Sequence, residues 1–329
     1  MSSVIRIPFS EIQGLQVGNS SSAEGKTGVT VFYFPRQASD AVQVFGGGPA
    51  SREISLLDPE RNQVPVDALV LAGGSSFGLD ASAGVRNCLE SHGHGIDTGY
   101  ARVPIVCQSD IFDLGYGSSD IRPDERMGFD ACKDAMDGNH PVSGNAGAGI
   151  GATVGKACGM ERAWKSGIGY AAARIGELVV GVAAVVNAYG DIFFHGRKIA
   201  GMTDPSRAGF SDAADALLEM QPHNLFTGNT TLAAVFTNAS FRTSDLKKII
   251  NMASAGMARA IRPVFTMADG DTIYAFSIGG AKEVVADINV VGTLAADLLE
   301  EAVADAVMTS KVPEDEYLSN ILKLGRQNG

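Results

Sequence analysis

Gly228-Asn229-Thr230-Thr231 runs straight into the apolar stretch Leu232-Ala233-Ala234-Val235-Phe236. That order sets a small hydroxyl residue at the mouth of a strand, behind a Gly-Asn turn. A chain cut between Asn229 and Thr230 would expose a new N-terminal threonine at that point. Such a residue holds its hydroxyl nucleophile and its general base, the freed α-amine, together. The amine titrates near pH ~7.7–8.0 and accepts a proton at neutral pH without help from burial. The same residues also read as an ordinary turn before a strand, where Gly-Asn and threonine are common.

Three further groups bear on this chemistry. Asp269-Gly270-Asp271 places two carboxylates two residues apart, on one side of an extended chain, where they would orient an ammonium group. As a bare dipeptide, Asp-Gly is equally a turn. Asn187 closes an apolar run and can give its amide to an oxyanion, or serve as a turn asparagine before Tyr189-Gly190-Asp191. Lys156 ends the glycine-rich run from Gly144 to Gly155. That run misses the P-loop spacing, with Ile150 and Ala157 at required positions, and Ala152 and Val154 break both dinucleotide-binding registers. No cofactor is expected. What remains is a backbone able to approach another group closely, followed by a lysine that alone would be a solvated surface residue.

Other motifs carry less. His92 and His94 lie two apart in a glycine-broken loop without a third ligand nearby, so no metal site is expected. Gly74-Ser75-Ser76-Phe77-Gly78 matches the nucleophile-elbow spacing formally, but nothing marks an acid and a histidine to complete a triad. Cys88, Cys107, Cys132 and Cys158 are widely spaced and contain no C-x-x-C pair, which suits a cytoplasmic protein with reduced thiols.

The elements that must position these residues follow from patterning over 329 residues, 45% of them hydrophobic and 19% charged. Strands are expected at 29–34, 41–45, 67–72, 177–189, 231–237 and 272–278. Helices are expected at 80–90, 205–220, 244–261 and 285–308, with 221–228 a linker. Helices and mostly antiparallel strands in layers, forming one catalytic domain over 1–329, is the architecture this order suggests. The net charge of −11 argues against nucleic acid and anionic membranes, which demand clustered lysine and arginine. No apolar stretch reaches the ~20 residues of a membrane helix.

In their order, these pieces resemble the self-cleaving aminopeptidase family of L-aminopeptidase/D-esterases, β-peptidyl aminopeptidases and nylon-oligomer hydrolases. The resemblance runs through Gly46-Gly47-Gly48-Pro49-Ala50-Ser51-Arg52-Glu53, Leu71 to Asp80, Ile111-Phe112-Asp113, Gly147 to Lys156, Val186 to Gly190, and Gly228 to Leu232. It implies an α+β fold, a four-layer αββα sandwich resembling the N-terminal nucleophile hydrolases. It implies cleavage into an α chain of 1–229 and a β chain of 230–329. Thr230 would be the nucleophile, with Asn229 before the cut, Asn187 and Lys156 around it, and Asp269 and Asp271 as paired acids. Phe112 stands where some members carry an oxyanion-assisting tyrosine, and Tyr116 is out of register. The implied substrate is a small peptide, amide or oligoamide, and the implied assembly is a homo-oligomer of processed αβ heterodimers, often four. Two other readings share the layered fold: an acyl transferase of the ornithine-acetyltransferase type, and a ligand-binding module that is never processed.

Overall fold

The computed structural model describes residues 3–61, 64–219, 228–279 and 284–322. The strands that build its layers and its site begin with β1 Ile5–Arg6, β2 Gln16–Ser22, β3 Thr27–Val44, β4 Ala50–Arg52, β5 Val66–Ala72 and β6 Val106–Asp110. They continue as β7 Thr153–Val154, β8 Trp164–Lys165, β9 Ile168–Ile175, β10 Leu178–Asn187, β11 Thr230–Thr237 and β12 Thr272–Ser277. The helices are α1 Ala81–Ser91, α2 Glu125–Asp137, α3 Ala213–Leu218, α4 Thr243–Ala260, α5 Ile288–Met308 and α6 Glu314–Asn320.

Alternation of side chains along each strand decides the layering. Leu232, Ala234 and Phe236 of β11 point one way, into a core shared with Val185 of β10, Phe276 of β12, and Phe32, Phe34, Leu69 and Leu71 of a second sheet. Ala233 and Val235 point the other way, with Val182, Val186 and Ile273, onto Leu246, Ile249, Ile250 and Met257 of α4 and Leu294, Leu298 and Val303 of α5. The second sheet turns Val29, Val31 and Val70 outward under Val85 and Leu89 of α1 and Ala131 and Ala135 of α2. Two sheets face to face with a helical pair on each outer side make the αββα sandwich.

One sheet has the order β1-β9-β10-β11-β12-β3 and the other β2-β3-β5-β6-β4, so β3 belongs to both. Its first part pairs with β2 and β5, and Ser39–Val44 pair with β12. Most neighbours are antiparallel, as expected, but β11–β12 and β5–β6 are parallel. The register that matters is in β10–β11, where Asn187 lies opposite Thr230.

Two expectations need correction. The strands at 29–34 and 41–45 are one strand, bent by a register shift between Tyr33 and Ala38, where Gln37 takes a positive φ of 60°. The helix at 205–220 is confined to Ala213–Leu218, because Asp212 caps it by accepting from the Ala214 and Asp215 amides, while Thr203 and Phe210 pair across a turn. The linker assigned to 221–228 lies outside the described residues except for Gly228. Among the described residues no helix is long and apolar enough to cross a membrane.

Candidate active site

Thr230 is the first residue of β11 and only 3% exposed, so its hydroxyl is sealed from solvent in the intact chain. That hydroxyl donates to the carbonyl oxygen of Asn229, the residue it would have to attack. The backbone amide of Gly270 donates to the same oxygen at 3.2 Å. Asn229 is held in turn by its side-chain amide, which donates to the Ala268 carbonyl at 3.2 Å. A hydroxyl and an N–H donor thus converge on one buried amide, an arrangement compatible with acyl transfer. Gly270 has to be glycine here: an added Cβ would lie 2.7 Å from Thr230 Oγ1 and 2.7 Å from the Gly48 carbonyl.

Lys156 is 1% exposed, not a surface lysine. Its Nζ donates to the Asn187 carbonyl at 2.9 Å, to Asn187 Oδ1 at 2.8 Å and to the Gly228 carbonyl at 3.2 Å. Gly155 makes this placement possible, with φ at +72° and a missing Cβ that would otherwise meet the Met202 amide at 2.0 Å. The Gly155 and Lys156 amides then pair with the Gly190 and Tyr189 carbonyls. Burial pulls the ammonium down to about 7, against the charges of Asp269, Asp113 and Asp271, which hold its proton on.

Asn187 is fully buried at the end of β10. Its Oδ1 accepts from Lys156 and, at 3.0 Å, from the Thr153 amide. Its Nδ2 donates to the Phe112 carbonyl at 2.8 Å. The side-chain amide expected to face an oxyanion is therefore committed to bracing Lys156 and the 112 segment in the intact chain.

Asp269 and Asp271 flank Gly270 in the turn that enters β12, and each carboxylate has its own partners. Asp271 accepts from the Thr231 amide at 2.7 Å and from the Phe265 amide at 2.9 Å. Asp269 accepts from the Tyr189 amide at 3.1 Å and from the Thr266 hydroxyl. Burial raises both carboxyls above the usual range, Asp271 to about 8 with the Asp269 charge adding to the effect. Neither touches the Thr230 hydroxyl, but Asp271 is fastened to the residue next to it.

The fold thus brings Lys156, Asn187, Asn229, Thr230, Asp269 and Asp271 to one end of β10, β11 and β12. The Gly270 amide escaped the sequence reading, as did the bracing by Thr153, Phe112 and Thr266. The only signal for Gly270 was a glycine lying between two acids. The remaining candidates are elsewhere. His94 packs under the Tyr33 hydroxyl at 2.8 Å and is half-buried, and His92 bonds the Cys88 carbonyl. Ser76 is exposed, on the 3₁₀ turn Ser75–Asp80. Cys88, Cys107 and Cys132 are buried, Cys158 is exposed, and all four are free.

Comparison with known proteins follows this geometry. The model of peptidase family S58 matches residues 9–315. An uncharacterised aminopeptidase of Mycobacterium leprae (strain TN) is 34% identical, covering 92% of this chain and 90% of its own. A 6-aminohexanoate-oligomer endohydrolase of Paenarthrobacter ureafaciens is 32% identical over 80% of this chain and 73% of its own. Among solved structures, a beta-aminopeptidase of Burkholderia sp. superposes with a TM-score of 0.64 at 17% identity, covering 94% of this chain and 92% of that one. The L-aminopeptidase D-Ala-esterase/amidase of Ochrobactrum anthropi, described as a variant of the Ntn hydrolase fold, gives 0.62 at 16% identity over 93% and 88%. These two likenesses bear on the fold, and they agree with the layers described above.

Proposed function

The chain belongs to peptidase family S58 and is a hydrolase of peptide or amide bonds; we propose that its nucleophile is Thr230, freed when the chain cuts itself between Asn229 and Thr230. The observation that carries this reading is the buried contact of the Thr230 hydroxyl and the Gly270 amide with one carbonyl oxygen, that of Asn229. Thr230 Oγ attacks the Asn229 carbonyl carbon, the C–N bond breaks, and the acyl group moves from nitrogen to oxygen as an ester. Water then hydrolyses the ester, leaving a carboxylate on Asn229 and an α-amine on Thr230. The products are an α chain of 1–229 and a β chain of 230–329.

In the mature enzyme the same hydroxyl attacks a substrate amide, and the α-amine takes its proton and passes it to the leaving amine. Asp271, bonded to the Thr231 amide, and Asp269 beside it orient that amine and tune its charge. Lys156, as an ammonium reaching the Gly228 carbonyl, balances the negative charge that develops, and Asn187 fixes its direction. Substrates are small peptides, amides or linear oligoamides, in keeping with the aminopeptidase and oligomer endohydrolase that the relatives are named as. The four free cysteines suit a cytoplasmic setting, and the family resemblance supports a homo-oligomer of processed αβ pairs.

A denaturing intact-mass spectrum tests the reading. Wild type should give two fragments divided between Asn229 and Thr230, Thr230→Ser should still divide, and Thr230→Ala should remain whole. A single full-length mass for wild type after prolonged incubation would overturn it.

A further inference from the structure

The intact chain holds its own residues 228 and 229 against the Thr230 hydroxyl, and three groups of the fold bond them there. The Gly270 amide donates to the Asn229 carbonyl oxygen at 3.2 Å. The Ala268 carbonyl accepts from Asn229 Nδ2 at 3.2 Å, and Lys156 Nζ donates to the Gly228 carbonyl at 3.2 Å. All of this is buried, with Asn229 2% and Ala268 1% exposed. No other donor reaches the Ala268 carbonyl among the described residues.

For the same hydroxyl to attack a substrate, residues 228 and 229 must give up this place. The Gly270 amide, the Ala268 carbonyl and one bond of Lys156 then lose their partners in a buried site, which is costly unless the substrate restores them. Restoring them takes an acceptor at Gly270, an N–H donor at Ala268 and a second acceptor at Lys156. The first is the carbonyl under attack. The last must be carried on the nitrogen of the acyl residue, as the Gly228 carbonyl is carried on the nitrogen of Asn229. A residue with a free α-ammonium offers only donors at that point and sets a like charge beside Lys156. The nearby acids do little to offset it. Each oxygen of Asp269 and Asp271 already accepts from the chain, through Tyr189, Thr266, Thr231 and Phe265.

We propose that the place of residues 228 and 229 is the acyl-side subsite of the mature enzyme, where Lys156 and the Ala268 carbonyl select an acyl residue that is itself N-acylated and carries an N–H donor on a short side chain. The substrate class is thus an internal amide bond with an asparagine-like residue on its acyl side. The proposal rests on the reading that Thr230 is freed by the cut and then attacks the substrate. Only the acyl side is mapped in this way, because Thr230 itself stands on the leaving side of its own bond.

Fully processed wild type, verified by intact mass, is given the p-nitroanilides of N-acetylasparagine, of asparagine with its amine free, and of N-acetylleucine. The first should be hydrolysed with a kcat/KM at least about tenfold above either of the others, the effect of one buried partner left unmet. Self-cleavage should show the same preference: Asn229→Leu, similar in shape but without the donor, should be cut about tenfold more slowly than wild type. If that variant does not fold, the anilide comparison decides, since it uses wild type alone. The proposal is overturned by a free-amine anilide cleaved as fast as its acetylated form, by equal rates for the two acetylated compounds, or by no release from a fully cut enzyme. A wild type never cut at 229–230 removes the reading beneath the proposal instead, and intact mass shows that before any substrate is added.

Discussion

At the scale of single residues, the Gly270 amide is the group most exposed to test. It bonds the Asn229 carbonyl at 3.2 Å, and the position has no room for a methyl beside Thr230 Oγ1. Gly270→Ala keeps the N–H, but its methyl pushes the turn away from Thr230 Oγ1 and the Asn229 carbonyl, so it should slow self-cleavage by up to about 10²–10³-fold, the cost of one misplaced oxyanion donor. The time course of fragment appearance measures it, and cleavage at the wild-type rate would remove Gly270 from the site. Lys156→Met leaves the Asn187 carbonyl, its Oδ1 and the Gly228 carbonyl without their ammonium donor. It should slow cleavage at least as much, whereas a full rate would show that the ammonium serves packing alone. The strand-end positions of Thr230 and Asn187 were legible in the sequence because they follow from the local pattern of an apolar run. The burial of Lys156 was not, since it depends on Gly155 reaching a positive φ against Met202, a neighbour distant in sequence. A backbone amide such as that of Gly270 leaves no trace in residue type beyond the glycine that lets it approach.

At the scale of elements, periodicity located the long central strands β3, β5, β10, β11 and β12 and the helices α1, α4 and α5, but not the other strands, α2 or α6, and the failures have physical causes. Separate strands were expected at 29–34 and 41–45, but one strand continues through a bulge at the point where its partner changes from β5 to β12. Beyond that bend lies Asp40, 5% exposed and without a hydrogen bond among the described residues, its carboxyl raised to about 7 by burial. A folded-state value above the unfolded one, ~3.9, means stability that is complete below pH ~4 and lost as pH rises through ~7. Asp40→Asn should escape that loss, so its melting temperature should gain on wild type from pH 5 to 8, equivalent to about 2–4 kcal/mol. A constant difference across that range would mean Asp40 is ionised in the fold. The outer helices depend on another local feature that periodicity cannot reveal. A methyl on Gly128 of α2 would lie 1.9 Å from the Ala81 carbonyl of α1, and one on Gly256 of α4 would lie 1.9 Å from the Ala296 carbonyl of α5. Either glycine-to-alanine change should destabilise by about 1–3 kcal/mol, read as a fall in urea midpoint. An unchanged midpoint would show that the helices can part without cost.

At the scale of the whole molecule, the proposed cut falls between two strands' worth of contacts rather than between two domains. β11 pairs with β10 on one side over eight residues and with β12 on the other, and β12 pairs with β3. Residues 230–329 thus supply Leu232, Phe236 and Phe276 to the core between the sheets, and α4 and α5 to the core outside one of them. With each such side chain contributing about 1.5–3 kcal/mol on burial, the two products should stay together until denatured and elute as one species by size exclusion. A fragment of 230–329 eluting alone would contradict this packing. The same geometry fixes the order of events. Lys156 and Asn187 precede the junction, Asp269, Gly270 and Asp271 follow it, and β10, β11 and β12 must pair before any of them meet. Cleavage should therefore wait for folding and stop in denaturant. With Thr230 and Asn229 at 3% and 2% exposure, a second molecule has no access to the bond, so the reaction should be intramolecular. The half-time of cleavage should stay constant across a wide dilution series, and processed wild type mixed with Thr230→Ala should leave the variant whole. A rate that rises with protein concentration would mean that the junction opens to solvent before it is cut.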